Sequence, residues 1–280
     1  MDISICSYSF HRLLAARQQD VFQYIDACKR LGCTQLDPWN GHLTELRNGD
    51  DTIHDDGTGT RDGSRYLSSG DAKYIEQLKQ AADRVGLPFG CIAVDGAHIY
   101  EADVQKRRDN RSRAYRWMEV AARLGAKQVR IDSGGSEELT DDAFAIIKEG
   151  FGDVIAVGRR GGVEVLVENH WGPTKIPDNV EKMLKHIPGL GFLWDSHNWK
   201  RELRDQGRVK CARYARCTHL KSFAFDAEGN ETSDEEAAGA LRTLKQSGYR
   251  GCWGVESVPD DGDELTAAAN TIALIKRVAG

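Results

Sequence analysis

Residues 163–172 read VEVLVENHWG, an apolar segment that runs directly into Glu168, Asn169, His170 and Trp171. Its first half, Val163–Val167, is rich in β-branched and aliphatic residues, which predicts a buried strand. The strand runs without a turn into the polar sequence ENHW, which begins at Glu168. A carboxylate is costly to bury unless it pairs with a cation or binds a metal. The stretch therefore predicts a core strand that delivers a carboxylate to a polar site.

The same strand-to-helix unit recurs along the chain. Strands that alternate with helices pair in parallel through crossover connections. Eight such units in 280 residues are typical of an α/β protein with a closed (β/α)₈ TIM barrel, expected here as one domain over residues 1–280. The predicted strands are 3–8, 33–36, 89–94, 127–131, 163–167, 189–194, 217–223 and 252–255.

An open, doubly wound sheet is the alternative fold. That fold favours a glycine-rich phosphate-binding turn after the first strand, and residues 3–12 contain no glycine. One connection is unusually long for either fold: residues 38–70 follow the second predicted strand. This loop lies on the side where barrel active sites are built, so we interpret it either as a disordered segment or as a lid.

Composition narrows the class of partner. The formal net charge is −5, which gives no electrostatic attraction to nucleic acid or to an anionic membrane. No apolar run reaches the length of a membrane span, and the first residues lack the features of a secretory signal. The seven cysteines are scattered and form no CxxC pair, which indicates reduced thiols. We therefore expect a cytoplasmic protein that acts without nucleic acid or a membrane.

Polar residues lie at the ends of predicted strands five, six and eight and within strand seven. They are Glu168, Asp195, Glu256 and His219, respectively. In a barrel, the carboxyl ends of all strands open at one face. Three anions gathered there would repel each other by several kcal/mol even at an intermediate dielectric. One divalent cation removes that repulsion, and oxygen ligands with one imidazole suit Mn²⁺, Mg²⁺ or Co²⁺, with Zn²⁺ as an alternative.

Each of these residues has another interpretation when taken alone. An aspartate at a strand end often caps the next helix, a glutamate pairs with an arginine, and His219 could be a hydrogen-bonded core histidine. The metal site is favoured because the four residues fall in phase on consecutive strands.

These motifs resemble the xylose isomerase-like TIM-barrel superfamily of sugar phosphate isomerases and epimerases. VENHWG resembles the family's Glu-Asn-His motif on strand five, WDSHNW its Asp-then-His motif on strand six, and THLK its His-x-Lys pattern on strand seven. The run GYRG followed by GVE resembles the family's approach to its final glutamate, and LGAKQVRI resembles its strand four. The resemblance covers essentially the whole chain.

Three positions depart from the family pattern, and all three are expected in the substrate pocket. Asp37 stands where the family often has a glutamate, and Ser222 stands where an aspartate often follows His-x-Lys. His197 lies two residues after Asp195, whereas the family histidine usually lies three residues after. The resemblance therefore does not extend to the substrate of any one characterised enzyme.

The resemblance implies a metal-dependent sugar isomerase or epimerase that moves a proton next to a carbonyl through a metal-stabilised enediolate. Glu168 and Glu256 would be metal ligands that also carry the proton, and Mn²⁺ is the first choice of ion. A carbohydrate substrate is expected, and the family often forms homodimers. The expected substrate-binding residues are His170, His197, Lys221, Trp39, Asn40 and His42.

Several of these residues have a second interpretation, and so does the reaction. Lys221 could simply neutralise the acidic cluster, and the aromatic residues could be packing groups. A lyase or dehydratase acting on a keto-sugar or keto-glycoside would share the first proton abstraction. An abasic-site endonuclease of the same barrel type would need three zinc ions and more histidines, and none follows His219. A carbohydrate-binding barrel without catalysis is the remaining alternative.

Overall fold

Parallel strands form the inner wall of the fold in the computed structural model, which describes residues 1–49, 66–232 and 236–280. Strands β2 to β6 pair in chain order, and β7 pairs with β1. The strands are β1 (Ile3–Ile5), β2 (Cys91–Val94), β3 (Gln128–Ile131), β4 (Glu164–Glu168), β5 (Gly191–Asp195), β6 (Ala215–His219) and β7 (Trp253–Val255).

Single backbone bridges close these strands into a ring. Residues 33–40 lie between β1 and β2 and bridge to them through the pairs Cys6–Asp37, Leu36–Phe89 and Trp39–Ala93. On the other side, Leu220 extends β6 and bridges to Val255 of β7. The predicted TIM barrel is thus confirmed. The predicted second strand, residues 33–36, is a bridged segment and not a regular strand. Ile3 N–H donates to the side-chain Oγ1 of Thr34 at 3.0 Å and not to a backbone carbonyl of the segment.

Ten helices of the described residues surround the ring. Polar caps begin several of them, as at Asp20, whose side chain accepts a hydrogen bond from Gln23 N–H. None of the described helices is both long and apolar enough to cross a bilayer. The helices are α1 (His11–Ala15), α2 (Val21–Leu31), α3 (Thr44–Asn48), α4 (Ser69–Val85), α5 (Val104–Leu124), α6 (Asp141–Arg160), α7 (Pro177–His186), α8 (Arg204–Cys211), α9 (Ala237–Gln246) and α10 (Glu264–Ala279).

The long connection at residues 38–70 is only partly described, because residues 50–65 lie outside the described ranges. The interpretation of this loop as a lid or a disordered segment falls largely on those residues. The described remainder carries α3 and the start of α4. The interpretation of residues 50–65 as a lid or a disordered segment therefore stays a prediction.

Arg116 on α5 holds both of those ends. Its side chain is 1% exposed and donates hydrogen bonds to Leu46 O at 2.6 Å and Tyr66 O at 2.5 Å. It also forms a two-point ion pair with Asp71, with both N–O distances at 3.1 Å. Burial acts to raise the pKa of Asp71, but the Arg116 pair outweighs it and lowers the pKa below the usual value.

We expect Arg116→Met to destabilise the protein by about 3 kcal/mol, because it leaves the carbonyls of Leu46 and Tyr66 without this donor and removes the ion pair of Asp71. Urea unfolding measures the effect, and Arg123→Met on the same helix is the control. Arg123 is 48% exposed and, among the described residues, forms an ion pair with Glu119, so its loss should cost less than about 1 kcal/mol.

The Asp71 part of this stabilisation depends on pH. Because its folded-state pKa is lowered, the contribution is fully present above the ordinary aspartate pKa and is lost as the pH falls through the lowered value. The difference between wild type and Arg116→Met should therefore narrow in acid. Equal stability of the two proteins at neutral pH would contradict this role of Arg116.

Candidate metal centre

Strand periodicity brings three of the predicted ligands to one place. Alternate residues of a strand face the same side. Glu168, Asp195 and His219 each lie two residues beyond an apolar side chain of a small interior cluster. They therefore continue the interior surface towards the carboxyl end of the barrel. The interior cluster consists of Cys91, Leu166, Leu193 and Cys217.

Glu256 reaches the same place through a close approach of β7 to β6. Its backbone N–H donates to Leu220 O at 3.0 Å, and Leu220 N–H donates to Gly254 O at 2.8 Å. A side chain at Gly254 would place its Cβ 2.0 Å from the carbonyl oxygen of Thr218. Glycine is therefore required two residues before Glu256 for the strands to meet.

The four predicted ligands form one buried cluster. Glu168, Asp195, His219 and Glu256 each offer a ligand atom, and these atoms all lie within 4.8 Å of one another. His219 Nδ1 is 3.1 Å from Glu168 Oε1 and 3.1 Å from Glu256 Oε2. The four residues are between 0% and 7% exposed. Three carboxylates and an imidazole at this spacing are a donor set that a divalent cation fits.

Two carboxylate oxygens of the cluster accept no hydrogen bond from the described residues. Asp195 Oδ1 accepts from the backbone N–H groups of His197 and Asn198 at 2.6 and 2.7 Å, but Oδ2 accepts none. Glu168 Oε2 is also buried without a hydrogen bond. Buried acceptors are rarely left in this state. Arg130 Nε lies 2.9 Å from Glu168 Oε2, whereas Lys221 Nζ approaches Asp195 Oδ2 only to 3.7 Å. Asp195 Oδ2 is therefore the oxygen that a bound cation would satisfy, and the residues fit such an ion.

Two buried cations flank the cluster. Lys221 Nζ lies 2.7 Å from Glu256 Oε2 and 3.7 Å from Asp195 Oδ2. Arg130, on β3, places Nε 2.9 Å from Glu168 Oε2 and is 3% exposed. Each glutamate of the cluster therefore has its own permanent positive charge.

The sequence-based prediction missed Arg130. The signal was present, since Arg130 stands between the apolar residues Val129 and Ile131 and lies two residues before Asp132. That spacing puts both side chains on the interior face of β3. A charged residue on the interior face of a barrel strand needs a buried partner, and three carboxylates supply it.

Burial and neighbouring charges give the three carboxylates of the cluster different pKa values. Burial raises the pKa of Asp195 to about 6, with Lys221 opposing the shift. Burial also acts to raise the pKa of both glutamates, but Lys221 and His219 hold that of Glu256 well below its ordinary value. Arg130 and His219 likewise lower the pKa of Glu168. The two glutamates are thus the groups that stay ionised most readily.

His219 responds to the same charges. Burial acts to lower its pKa, but the negative charges of Glu256 and Glu168 raise it well above the ordinary value. The imidazole is therefore drawn towards its protonated form by the acidic cluster. A metal ligand must present a free ring nitrogen, so binding a cation here would release a proton.

The predicted substrate-binding residues divide into two groups. Lys221 and His170 lie against the acidic groups, since His170 Nδ1 is 3.2 Å from Asp132 Oδ1. His197 lies two residues after Asp195 and packs on Phe223, with ring centroids 4.9 Å apart. Trp39 donates its indole N–H to Asp95 Oδ2 at 2.7 Å. These four stand at the carboxyl ends of the strands.

Asn40 and His42 are tied into the scaffold. The Asn40 side chain donates to Asp95 O at 3.0 Å and accepts from Asp95 N–H at 3.1 Å. His42 is 1% exposed, lies 5.8 Å from the ring of Tyr24, and has its pKa lowered to about 4 by burial. The structure does not bring these two residues to the four-ligand cluster. The sequence WNGH at residues 39–42 does not show which of these side chains face the four-ligand cluster.

A second polar cluster borders the first. Asp95, Asp132 and His170 follow β2, β3 and β4, and their ligand atoms lie within 4.8 Å of one another. Arg130 joins the clusters, because Nη1 lies 2.9 Å from both Asp95 Oδ1 and Asp132 Oδ2. Burial acts to raise the pKa of Asp132, yet Arg130 and His170 lower it to about 2.

Solved structures share the fold at low sequence identity. D-psicose 3-epimerase of Clostridium cellulolyticum H10 has a TM-score of 0.70 at 12% identity, with 100% of this chain and 99% of that chain covered. The 3-keto-D-glucoside 4-epimerase of E. coli has a TM-score of 0.67 at 13% identity, with coverages of 92% and 95%. A probable 3-DHS dehydratase of petrobactin synthesis from Bacillus anthracis gives 0.67 at 13%, with coverages of 98% and 99%. No curated protein gives a significant match.

The family profile covers most of the chain. The family described as "Xylose isomerase-like TIM barrel" matches residues 25–278. The matched region includes the four-ligand cluster and both flanking cations. The chain therefore belongs to the xylose isomerase-like TIM-barrel family.

Proposed function

We propose that this protein is a divalent-metal-dependent sugar isomerase or epimerase that moves a proton next to a carbonyl group. The observation that carries the proposal is the convergence of Glu168, Asp195, His219 and Glu256, with donor atoms within 4.8 Å. Mn²⁺ is the first candidate ion, and Mg²⁺, Co²⁺ and Zn²⁺ are alternatives for this donor set. The cation, when bound, supplies Lewis-acid stabilisation of the negative charge that develops on the substrate oxygens.

Glu168 and Glu256 are the groups that we assign to proton transfer. They come from β4 and the end of β7, on either side of His219, and each is 3.1 Å from its Nδ1. Each is also held ionised by a buried cation, which keeps a base available at neutral pH. One carboxylate removes the α-proton of a hydroxy-ketone, and the other returns a proton at the opposite face or at the neighbouring carbon.

Three further groups fit roles in binding a neutral carbohydrate. Lys221 Nζ, beside Glu256, is placed to hold the developing oxyanion. His170 and His197 offer ring nitrogens to substrate hydroxyls near the strand ends. Two solved structures with this fold are described as sugar epimerases, which supports the proposed reaction.

A lyase or dehydratase is the second candidate, because it shares the first step. A structure with this fold is described as a probable dehydratase. Lys221 Nζ lies 2.7 Å from Glu256 Oε2, so the pair could also pass a proton to a leaving group. The two reactions separate only after the α-proton has been removed.

Deuterium exchange tests the proposal and separates these candidates. The Mn²⁺-loaded protein is incubated in D₂O with a panel of free ketoses and keto-glycosides and followed by NMR. We expect deuterium at a carbon next to the carbonyl in recovered sugar, together with an epimer or isomer. Release of an aglycone or formation of an alkene would assign the lyase reaction instead. Metal-loaded protein that exchanges no deuterium across the panel would contradict the proposal.

Glu256→Gln should lower the turnover number by about 10²–10⁴-fold, because the amide keeps the shape of the side chain but cannot act as a base. Steady-state kinetics with the substrate identified by exchange measures the effect. The control is Glu76→Gln on α4, an exposed carboxylate that accepts a hydrogen bond from the Gln80 side chain. If Glu256→Gln turned over at the wild-type rate, Glu256 would not be the proton carrier.

Asp195→Asn should weaken metal binding by more than about 100-fold. Removing a direct metal ligand reduces the affinity more than removing a residue that only hydrogen-bonds to a ligand. The asparagine oxygen can still accept the hydrogen bonds from His197 and Asn198, so the loop after β5 is expected to keep its conformation. Isothermal titration with Mn²⁺ measures the change, and circular dichroism checks the fold. Unchanged Mn²⁺ affinity would remove Asp195 from the ligand set.

A further inference from the structure

A second set of metal-ligating groups lies directly beside the proposed centre. Asp95 and Asp132 supply carboxylates and His170 supplies an imidazole, with ligand atoms within 4.8 Å of one another. These are the same donor types as in the first cluster, and they suit the same divalent ions. Glu168, from the first cluster, borders both sets through Arg130. Donor chemistry alone would therefore allow two ions at this barrel mouth.

Arg130 occupies the space that a second ion would use. One nitrogen, Nη1, lies 2.9 Å from Asp95 Oδ1 and 2.9 Å from Asp132 Oδ2. Another, Nε, lies 2.9 Å from Glu168 Oε2. A single guanidinium thus contacts carboxylates at the ends of β2, β3 and β4. It contacts both carboxylates of the second cluster and one ligand of the first.

The charge of Arg130 is permanent. A guanidinium is not deprotonated in proteins, and this one is 3% exposed and held by three carboxylates. A divalent ion at the second cluster would have to displace it from its partners and bury a further positive charge beside it. Binding there is opposed both by lost ion pairs and by like-charge repulsion.

We propose that Arg130 takes the place of a second cation, so that the site holds one exchangeable metal ion and not two. The inference rests on the proposed metal centre and deepens it. Paired ions about 3.5–4 Å apart suit in-line displacement at phosphorus, because they clamp the attacking and leaving oxygens. One ion flanked by two ionised glutamates suits proton transfer. Arg130 is therefore a positioning residue that limits the site to one exchangeable ion.

The same geometry gives Arg130 a role towards Glu168. The Nε contact places a positive charge at the Glu168 oxygen that accepts no hydrogen bond. A purely structural arginine would only hold that carboxylate in place, and its removal would weaken metal binding. If Arg130 instead takes the place of a cation, its removal should strengthen metal binding. The three carboxylates that it contacts would then lack a compensating positive charge.

Metal stoichiometry tests the inference. Wild type, Arg130→Met and Arg130→Lys are loaded with Mn²⁺, freed of excess ion and assayed for metal by mass spectrometry. We expect about one ion per chain for wild type and for Arg130→Lys, and about two for Arg130→Met. The double variant Arg130→Met/Asp132→Asn should return to about one, because it loses a carboxylate of the second cluster.

The outcomes separate the inference from the proposed function. One ion in wild type and still one or none in folded Arg130→Met would overturn the inference and leave the metal centre intact. No ion in wild type would overturn both. If Arg130→Met is recovered only in the presence of Mn²⁺, thermal unfolding across Mn²⁺ concentrations replaces the count. Its melting temperature should then rise more steeply with Mn²⁺ than that of wild type, and an equal or smaller rise would overturn the inference.

Discussion

Three carboxylates lie close together in one small buried volume at the end of this barrel. The surrounding residues must compensate their negative charge. The ligand atoms of Glu168, Asp195 and Glu256 lie with that of His219 within 4.8 Å, away from bulk water. The barrel imposes the crowding, because parallel strands carry their final residues to the same face. A sequence that placed apolar residues at these ends would be easier to bury. Keeping acidic groups there is costly without a cation, and it is the reason to regard the cluster as a functional site.

The protein divides the compensation of these charges between fixed and exchangeable cations. Lys221 pairs with Glu256, and Arg130 pairs with Glu168 while also holding Asp95 and Asp132. Asp195 receives backbone N–H bonds at one oxygen and keeps the other without a hydrogen bond from the described residues. The fixed cations serve the glutamates, which need to stay ionised for proton transfer. The remaining unmatched charge falls on the side of the cluster where Asp195 and His219 lie, and an ion bound there would complete the balance.

Much of this arrangement could be read from the sequence because it follows from strand phase. A polar residue two positions beyond an interior Leu166, Leu193 or Cys217 must share its face, so the ligand set is a consequence of periodicity. The family resemblance led to the same fold, which the family match then confirmed. Strand periodicity could not predict contacts between side chains that are distant in sequence. Nothing local shows that Asn40 turns to the backbone of Asp95, or that Arg130 reaches carboxylates on three strands. The irregularity of the second strand was also missed, because the hydrogen bond from Ile3 N–H to the Thr34 hydroxyl joins distant segments.

The most direct test of the central claim is the position of a bound ion. Crystals grown with Mn²⁺ and measured at a wavelength where manganese scatters anomalously give that position without reference to activity. We expect one strong anomalous peak, with Glu168, Asp195, His219 and Glu256 as its protein ligands and Arg130 still paired with Asp132. A map with no peak at these side chains, or with its main peak elsewhere on the protein, would contradict the metal centre on which the proposed function depends.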